Sequence, residues 1–319
     1  MKNFALSTAT LLLASTAALA QVETRTVTFE NEGATLSGTL YLPEGHSGAA
    51  LPTVVVTGAW TSVEEQMPAV YAEQMVARGF AAFTFDFRGW GKSGDLPHNV
   101  RFLESPEAKT SDIRAAFNVV ARLPEVDPAR INGLGICASA GYMVDAVAGN
   151  DLVQRIGLVA PWLQNQEIVA AVYGGAEGVQ GLIDASRAAQ AAGGQVIPAA
   201  GPPGAEGVLM PIGGYYYDED RGAIPAYDNQ WNNAGWEGWL TYYPADHAHR
   251  LSQPLAVVHS QAAAIPQGVY DFLADYAGEA TLKMLKDVTQ FDFYDSADDV
   301  SRAADVVAAH FAAAPDADS

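Results

Sequence analysis

A chain of 319 residues, 49% of them apolar, is long enough to bury one sizeable core and carry an insertion. A formal charge of -20 argues against nucleic acid and anionic membrane surfaces as partners. The single cysteine, Cys137, excludes an internal disulfide and leaves that thiol either buried and inert or used.

Residues 1–20 read as a targeting segment. Lys2 supplies the charged start, 6–14 the apolar core, and Ala18-Leu19-Ala20 the small-residue cleavage site. The apolar run is too short to stay in a bilayer, and there is no cysteine at the cut for a lipid. Export and release, to a periplasm or the medium, is the expectation.

Residues 22–30 and 34–42 alternate apolar and polar, predicting two antiparallel strands joined through Asn31-Glu32-Gly33. The apolar run 52–57 predicts a strand covered on both faces, followed by Gly58-Ala59-Trp60. A helix over 68–78, closed by Gly79, leads to a buried strand over 80–86. Ser105-Pro106 starts a helix over 107–123. A strand ending at Ile136 turns at Cys137 into a helix reaching about residue 148, and 155–161 is a further short strand.

From about 162 to 250 the periodicity is lost. This stretch holds a Gly/Ala/Pro-rich run, 191–207, and an aromatic cluster from Tyr215 to Tyr243, and it reads as an inserted cap with a flexible segment. Strands over 254–260 and 281–287 and helices over 267–276 and 297–311 complete the main domain, 21–319. Strands alternating with helices predict an α/β fold: a mostly parallel eight-stranded sheet with helices on both faces and an antiparallel edge.

Two motifs resemble a known family. In Gly133-Leu134-Gly135-Ile136-Cys137-Ala138-Ser139-Ala140-Gly141, small residues flank an apex two positions away on each side, as a nucleophile elbow requires. Asp86-Phe87-Arg88-Gly89-Trp90-Gly91-Lys92-Ser93 resembles the DxRGxGxS loop of α/β hydrolases. The chain therefore resembles the α/β-hydrolase superfamily, and cysteine at the apex resembles its dienelactone-hydrolase-like branch. That implies a small-molecule ester, thioester or lactone as substrate, Cys137 as nucleophile, and no cofactor.

At a helix N-terminus, Cys137 is expected to favour thiolate. A second register, Cys-x-Ser-x-Gly, would put Ser139 at the apex instead. The resemblance implies two oxyanion donors: the N–H of Ala138, and that of Ala59 with Trp60 as the next candidate. It also implies a glutamate that contacts the cysteine, here Glu65, although Ser62-Val63-Glu64-Glu65 equally reads as a capping box. Arg88 is read either as an anchor for an anionic substrate group or as a structural partner of a carboxylate. Trp60, Arg88 and Gln290 are the candidate substrate contacts.

The resemblance fails for the rest of a triad. The loop 287–295 has no histidine, and Gln290, which cannot take up a proton at neutral pH, stands at the position expected for one. The loop 259–266 has Ala262 and no carboxylate; after the 155–161 strand come Gln164, Asn165 and Glu167. His259 ends a core strand, His247 and His249 sit where the cap returns, and His98 follows the Arg88 loop. Without a third ligand His247 and His249 make no metal site. Asp292, Tyr294 and Asp295 are expected near the pocket rim. Two functions stay open: acyl cleavage or transfer through Cys137, with Glu65 or a cap histidine as base, and a binding protein in which Gln290 and Ala262 have replaced the proton-handling groups. The sequence sets no oligomeric state.

Overall fold

Strict alternation makes a two-strand ribbon at the start of the sheet. Strand β1 (Val22–Asn31) pairs antiparallel with β2 (Ala34–Pro43), and Glu32 and Gly33 turn between them at φ 45° and 83°. These strands belong to a computed structural model that describes residues 21–313. The targeting segment read at 1–20 lies outside the described residues.

The chain continues as β3 (Leu51–Thr57), α1 (Met67–Val76), β4 (Ala81–Phe85), α2 (Pro106–Val120), β5 (Val126–Ile136), α3 (Ser139–Val147) and β6 (Val153–Val159). A segment of mixed structure follows: α4 (Gln166–Val172), α5 (Gly175–Ala191), β7 (Val196–Pro198), β8 (Gln230–Asn232) and α6 (Trp236–Leu240). The main fold closes with β9 (Leu255–Ser260), α7 (Pro266–Asp275), β10 (Ala280–Leu285), α8 (Asp292–Asp295) and α9 (Ala297–Ala312). The large sheet runs β1-β2-β4-β3-β5-β6-β9-β10, with antiparallel pairing only at β1/β2 and β2/β4.

Both faces of this sheet are covered, so its central strands need no polar side. Val54, Val55 and Val56 of β3 are all fully buried. Small residues let the helices approach. A Cβ on Gly133 would collide with Met143 of α3, and one on Gly157 would press on Val307 and Phe311 of α9. Gly133 pairs with Ile156 rather than Gly157, so α3 and α9 lie on opposite faces. Ser105 caps α2 by accepting the Ala108 N–H at 3.2 Å, with Pro106 opening the helix. Among the described residues no helix is long and apolar enough to cross a membrane.

The stretch between β6 and β9 contains the one long helix that hydrophobic periodicity did not mark, α5. It is rich in Ala and Gly, and only Ser186 and Ala189 are buried along it, too few to set a period. The Gly/Ala/Pro-rich run expected to be flexible is tied down in part. Strand β7 pairs with β8, and Asn229 Oδ1 accepts the Ala200 N–H at 2.7 Å. The capping box expected at Ser62 does not form. Ser62 donates to the Ala59 carbonyl, Gln66 accepts the Val63 N–H, and Glu65 turns away to Lys92.

Candidate active site

The turn between β5 and α3 holds Cys137 at φ 56°, a left-handed conformation that few non-glycine residues adopt. Three backbone bonds hold it there. The Cys137 N–H donates to the Val159 carbonyl at 3.1 Å, and its own carbonyl accepts from Ala140 at 3.1 Å and Trp162 at 2.9 Å. Gly135 lets the helix return close to the strand: a Cβ there would lie 2.8 Å from Ala140 Cα. Gly135→Val is therefore expected to lower the melting temperature by several degrees, the effect of a backbone clash worth about 1–3 kcal/mol. A thermal melt followed by circular dichroism checks it.

The second register is not available. Ser139 is fully buried, and its hydroxyl donates to the Ile136 carbonyl at 3.1 Å and meets the Thr57 hydroxyl at 2.9 Å. It fastens the turn from below. Cys137, by contrast, lines a cavity of about 340 Å³ whose walls include Trp60, Trp162, Trp239, Tyr216, Phe291 and Tyr294. Among the described residues, no carboxylate, imidazole, ammonium or guanidinium group lines this cavity.

Three donors face the sulfur, the Tyr294 hydroxyl and the backbone N–H groups of Trp60 and Ala138, and the Gln290 amide lies beside them. Burial is the larger influence and pushes the Cys137 thiol up despite them. This corrects the expected thiolate: a helix N-terminus does not offset the loss of water around the sulfur. The oxyanion pair is corrected too. The Ala59 N–H lies 3.5 Å from Met67 Sδ and is turned from the cavity, while the N–H of Trp60, the next candidate, lies with that of Ala138 toward the sulfur.

Glu65 is not beside the sulfur. It pairs with Lys92, is not among the cavity residues, and so cannot serve Cys137 as a base. Arg88 takes the structural alternative. Its guanidinium is buried, 2.6 Å from Asp112 and 2.7 Å from Glu32, tying α2 to the β1–β2 turn. Neither residue can touch a molecule in the cavity.

Gln290 does line the cavity, and its carboxamide has one orientation. Oε1 accepts the Ala264 N–H at 3.0 Å, while Nε2 donates to the Ala160 carbonyl at 2.9 Å and to Tyr294 Oη at 3.0 Å. The histidines lie elsewhere. His259 is fully buried with Nε2 3.1 Å from the Ala264 carbonyl, and burial pulls it down to about 4. His247 binds Asp145 at 2.9 Å, while His98 and His249 are exposed. Asp292 accepts from the backbone and hydroxyl of Thr289, and Asp295 holds Arg221. A cluster of carboxylates, Glu64, Glu65 and Asp86, has the spacing of metal ligands, but Thr84, Lys92 and backbone N–H groups already serve it. Tyr294, expected at the rim, lines the cavity beside the sulfur, and Tyr216 joins it from the aromatic cluster marked in the sequence between β6 and β9.

No protein-family model matches the chain. It is 41% identical over 138 residues to the uncharacterized protein PA2218 of Pseudomonas aeruginosa, covering 43% of this chain and 36% of that one. It is 32% identical over 117 residues to the polyketide transferase claH of Penicillium crustosum, covering 37% of each. The matched stretch is thus little more than a third of these curated relatives' length. The crystal structure of PA2218 superposes with a TM-score of 0.77 at 26% identity, over 95% of this chain and 99% of that one. That of the α/β hydrolase GrgF from Penicillium sp. sh18 gives 0.70 at 18% identity, over 91% and 100%. Likeness over more than nine-tenths of the chain, with the same mostly parallel eight-stranded sheet between helices, gives this chain the fold of the α/β-hydrolase superfamily.

Proposed function

We propose that the protein cleaves or transfers the acyl group of an uncharged ester, thioester or lactone through Cys137. One observation carries the reading. A sulfur on a strained turn opens into an apolar cavity, with the Trp60 and Ala138 N–H groups on the same side. In the reaction the sulfur attacks the carbonyl carbon, and the carbonyl electrons move onto oxygen, where the two N–H groups hold them. The leaving group departs with the bonding pair and takes up the proton that Cys137 gave away, leaving an acyl thioester on the enzyme; water or an acceptor nucleophile then takes the acyl group, and its proton returns to the departing sulfur.

A thioester suits this site best. Its leaving thiolate has a conjugate acid near pKa ~8.5 and departs without a strong acid, whereas an alkoxide needs one. The aromatic walls favour an apolar acyl group, and one of the relatives is named a polyketide transferase. Cysteine at the apex is the feature that favours the dienelactone-hydrolase-like branch. The charged start, apolar core and Ala18-Leu19-Ala20 site support export, which a mature N-terminus at Gln21 would establish by intact-mass measurement.

A binding protein is the second reading, favoured by the lack of a base along the cavity. The deciding experiment is incubation with an activated aromatic thioester followed by peptide mass spectrometry. An acyl adduct on Cys137 supports the enzyme. Saturable binding of the thioester with residue 137 unmodified supports the second reading.

A further inference from the structure

We propose that Tyr294 is the hydrogen-bond donor that activates Cys137, aligned by Gln290 and Tyr216, where a triad enzyme would use a base. The mechanistic part of this proposal rests on the Cys137 reading above. Tyr294 lies on α8, is 1% exposed, and lines the cavity beside the sulfur. Its Oη accepts Nε2–H of Gln290 at 3.0 Å, and its other polar neighbours are the Cys137 sulfur and the Tyr216 hydroxyl. A carboxamide nitrogen can only donate, so the bond from Gln290 takes a lone pair of the phenol and leaves its O–H to donate elsewhere. The Cys137 sulfur lies beside that O–H on the same cavity wall and is the acceptor we assign to it.

Gln290 thus has a task at the position where the fold would hold a histidine. It cannot remove a proton, but its amide is locked between the Ala160 carbonyl and the Ala264 N–H and so holds the phenol in line. Donation to sulfur favours the thiolate over the thiol, and a donor gains most when its acceptor is charged. The tyrosine keeps its own proton throughout, because burial and the facing sulfur hold its ionisation well above the ordinary tyrosine range. The thiol proton passes to solvent, the thiolate attacks, and the leaving thiolate recovers a proton; the exchange balances with no side-chain base.

Three further phenols lie within electrostatic reach of the sulfur. They are Tyr142 on α3, Tyr173 after α4 and Tyr216 from the segment beyond β7. Tyr142 donates to Glu104 at 2.8 Å, and that carboxylate is paired with buried Lys109 at 2.8 Å. No charged side chain lines the cavity among the described residues, so burial raises the thiol and the donors are what bring it back down.

The test is the pH dependence of Cys137 alkylation by iodoacetamide, followed by mass spectrometry on the full chain. Tyr294→Phe keeps the ring and removes only the donor. Its inflection is expected about one pH unit above the wild type, the scale of one hydrogen bond to a charged acceptor. Gln290→Leu, which frees the phenol to turn, is expected to move it in the same direction by less. A Tyr294→Phe inflection within about 0.3 pH unit of the wild type, with the melting temperature unchanged, overturns the proposal; that margin is small beside the expected shift. The two readings fail separately. If Tyr294→Phe leaves the inflection in place but wild type forms the acyl adduct, only the tyrosine's role is lost. If the inflection moves but no adduct forms, Tyr294 tunes the thiol and the enzymatic reading falls.

Discussion

Cys137→Ala loses the acyl adduct and drops thioester turnover at least ~10³-fold, the scale of removing a nucleophile. The fold should tolerate it. Alanine occupies φ 56° at much the same cost as cysteine, and the three backbone bonds that hold the turn do not involve the sulfur. Circular dichroism should therefore superpose on wild type. Cys137→Ser should be nearly as inactive. A hydroxyl needs a base to become a nucleophile, and no imidazole or carboxylate lines the cavity among the described residues. Turnover that persists in the alanine variant would remove the cysteine mechanism, because Ser139 is buried under the turn with its hydroxyl engaged.

Glu64→Gln should make the protein more stable at alkaline pH. Glu64 is 2% exposed, accepts hydroxyl bonds from Thr84 at 2.8 Å and Thr39 at 3.2 Å, and lies against Asp86. Burial first, and then the Asp86 charge, push its carboxyl up to about 8; burial likewise pushes Asp86 up to about 6. The folded state thus holds a proton that the unfolded chain releases above its ordinary value of 4.5. Stability falls as pH rises from 4.5 through about 8, at up to about 1.4 kcal/mol per pH unit. Glutamine mimics the protonated form and has nothing to lose. The gain over wild type should be near zero at pH 4, grow through pH 7, and level off above pH 8. Urea unfolding at acid, neutral and alkaline pH measures it; a constant difference across them would show that Glu64 does not titrate in this window.

His259 acts with the opposite sign. Burial holds its folded value down at about 4 against an ordinary 6.5, so the unfolded chain binds the extra proton. Its contribution is complete above pH 6.5 and is lost as pH falls toward 4. The pH–stability curve therefore has contributions of both signs, and the Glu64 variant removes one that weakens the fold at alkaline pH.

The sheet was legible because each strand announces itself over a few residues. Runs such as Val54-Val55-Val56 and the alternation of 22–30 predict β3 and β1 from neighbours alone, and the observed ends differ by a few residues at most. The apex was legible for the same reason, since Gly135, Cys137 and Ser139 lie within one turn. Failures begin where a side chain chooses between partners far apart in the chain. Glu65 chose Lys92, Arg88 chose Asp112 and Glu32, and the Ala59 N–H turned to Met67. Each residue type was compatible with a catalytic or structural place, and only packing separated them.

By itself the sequence determined the strand–turn–helix that puts Cys137 at an apex, because sterics and hydrophobic period act between near neighbours. The charge state of that sulfur belongs to the tertiary structure. Trp60, Trp162, Tyr216 and Tyr294 come from four separate loops and helices to wall in the cavity. They strip water from one atom and replace it with fixed donors, and desolvation of that kind sums over everything packed nearby.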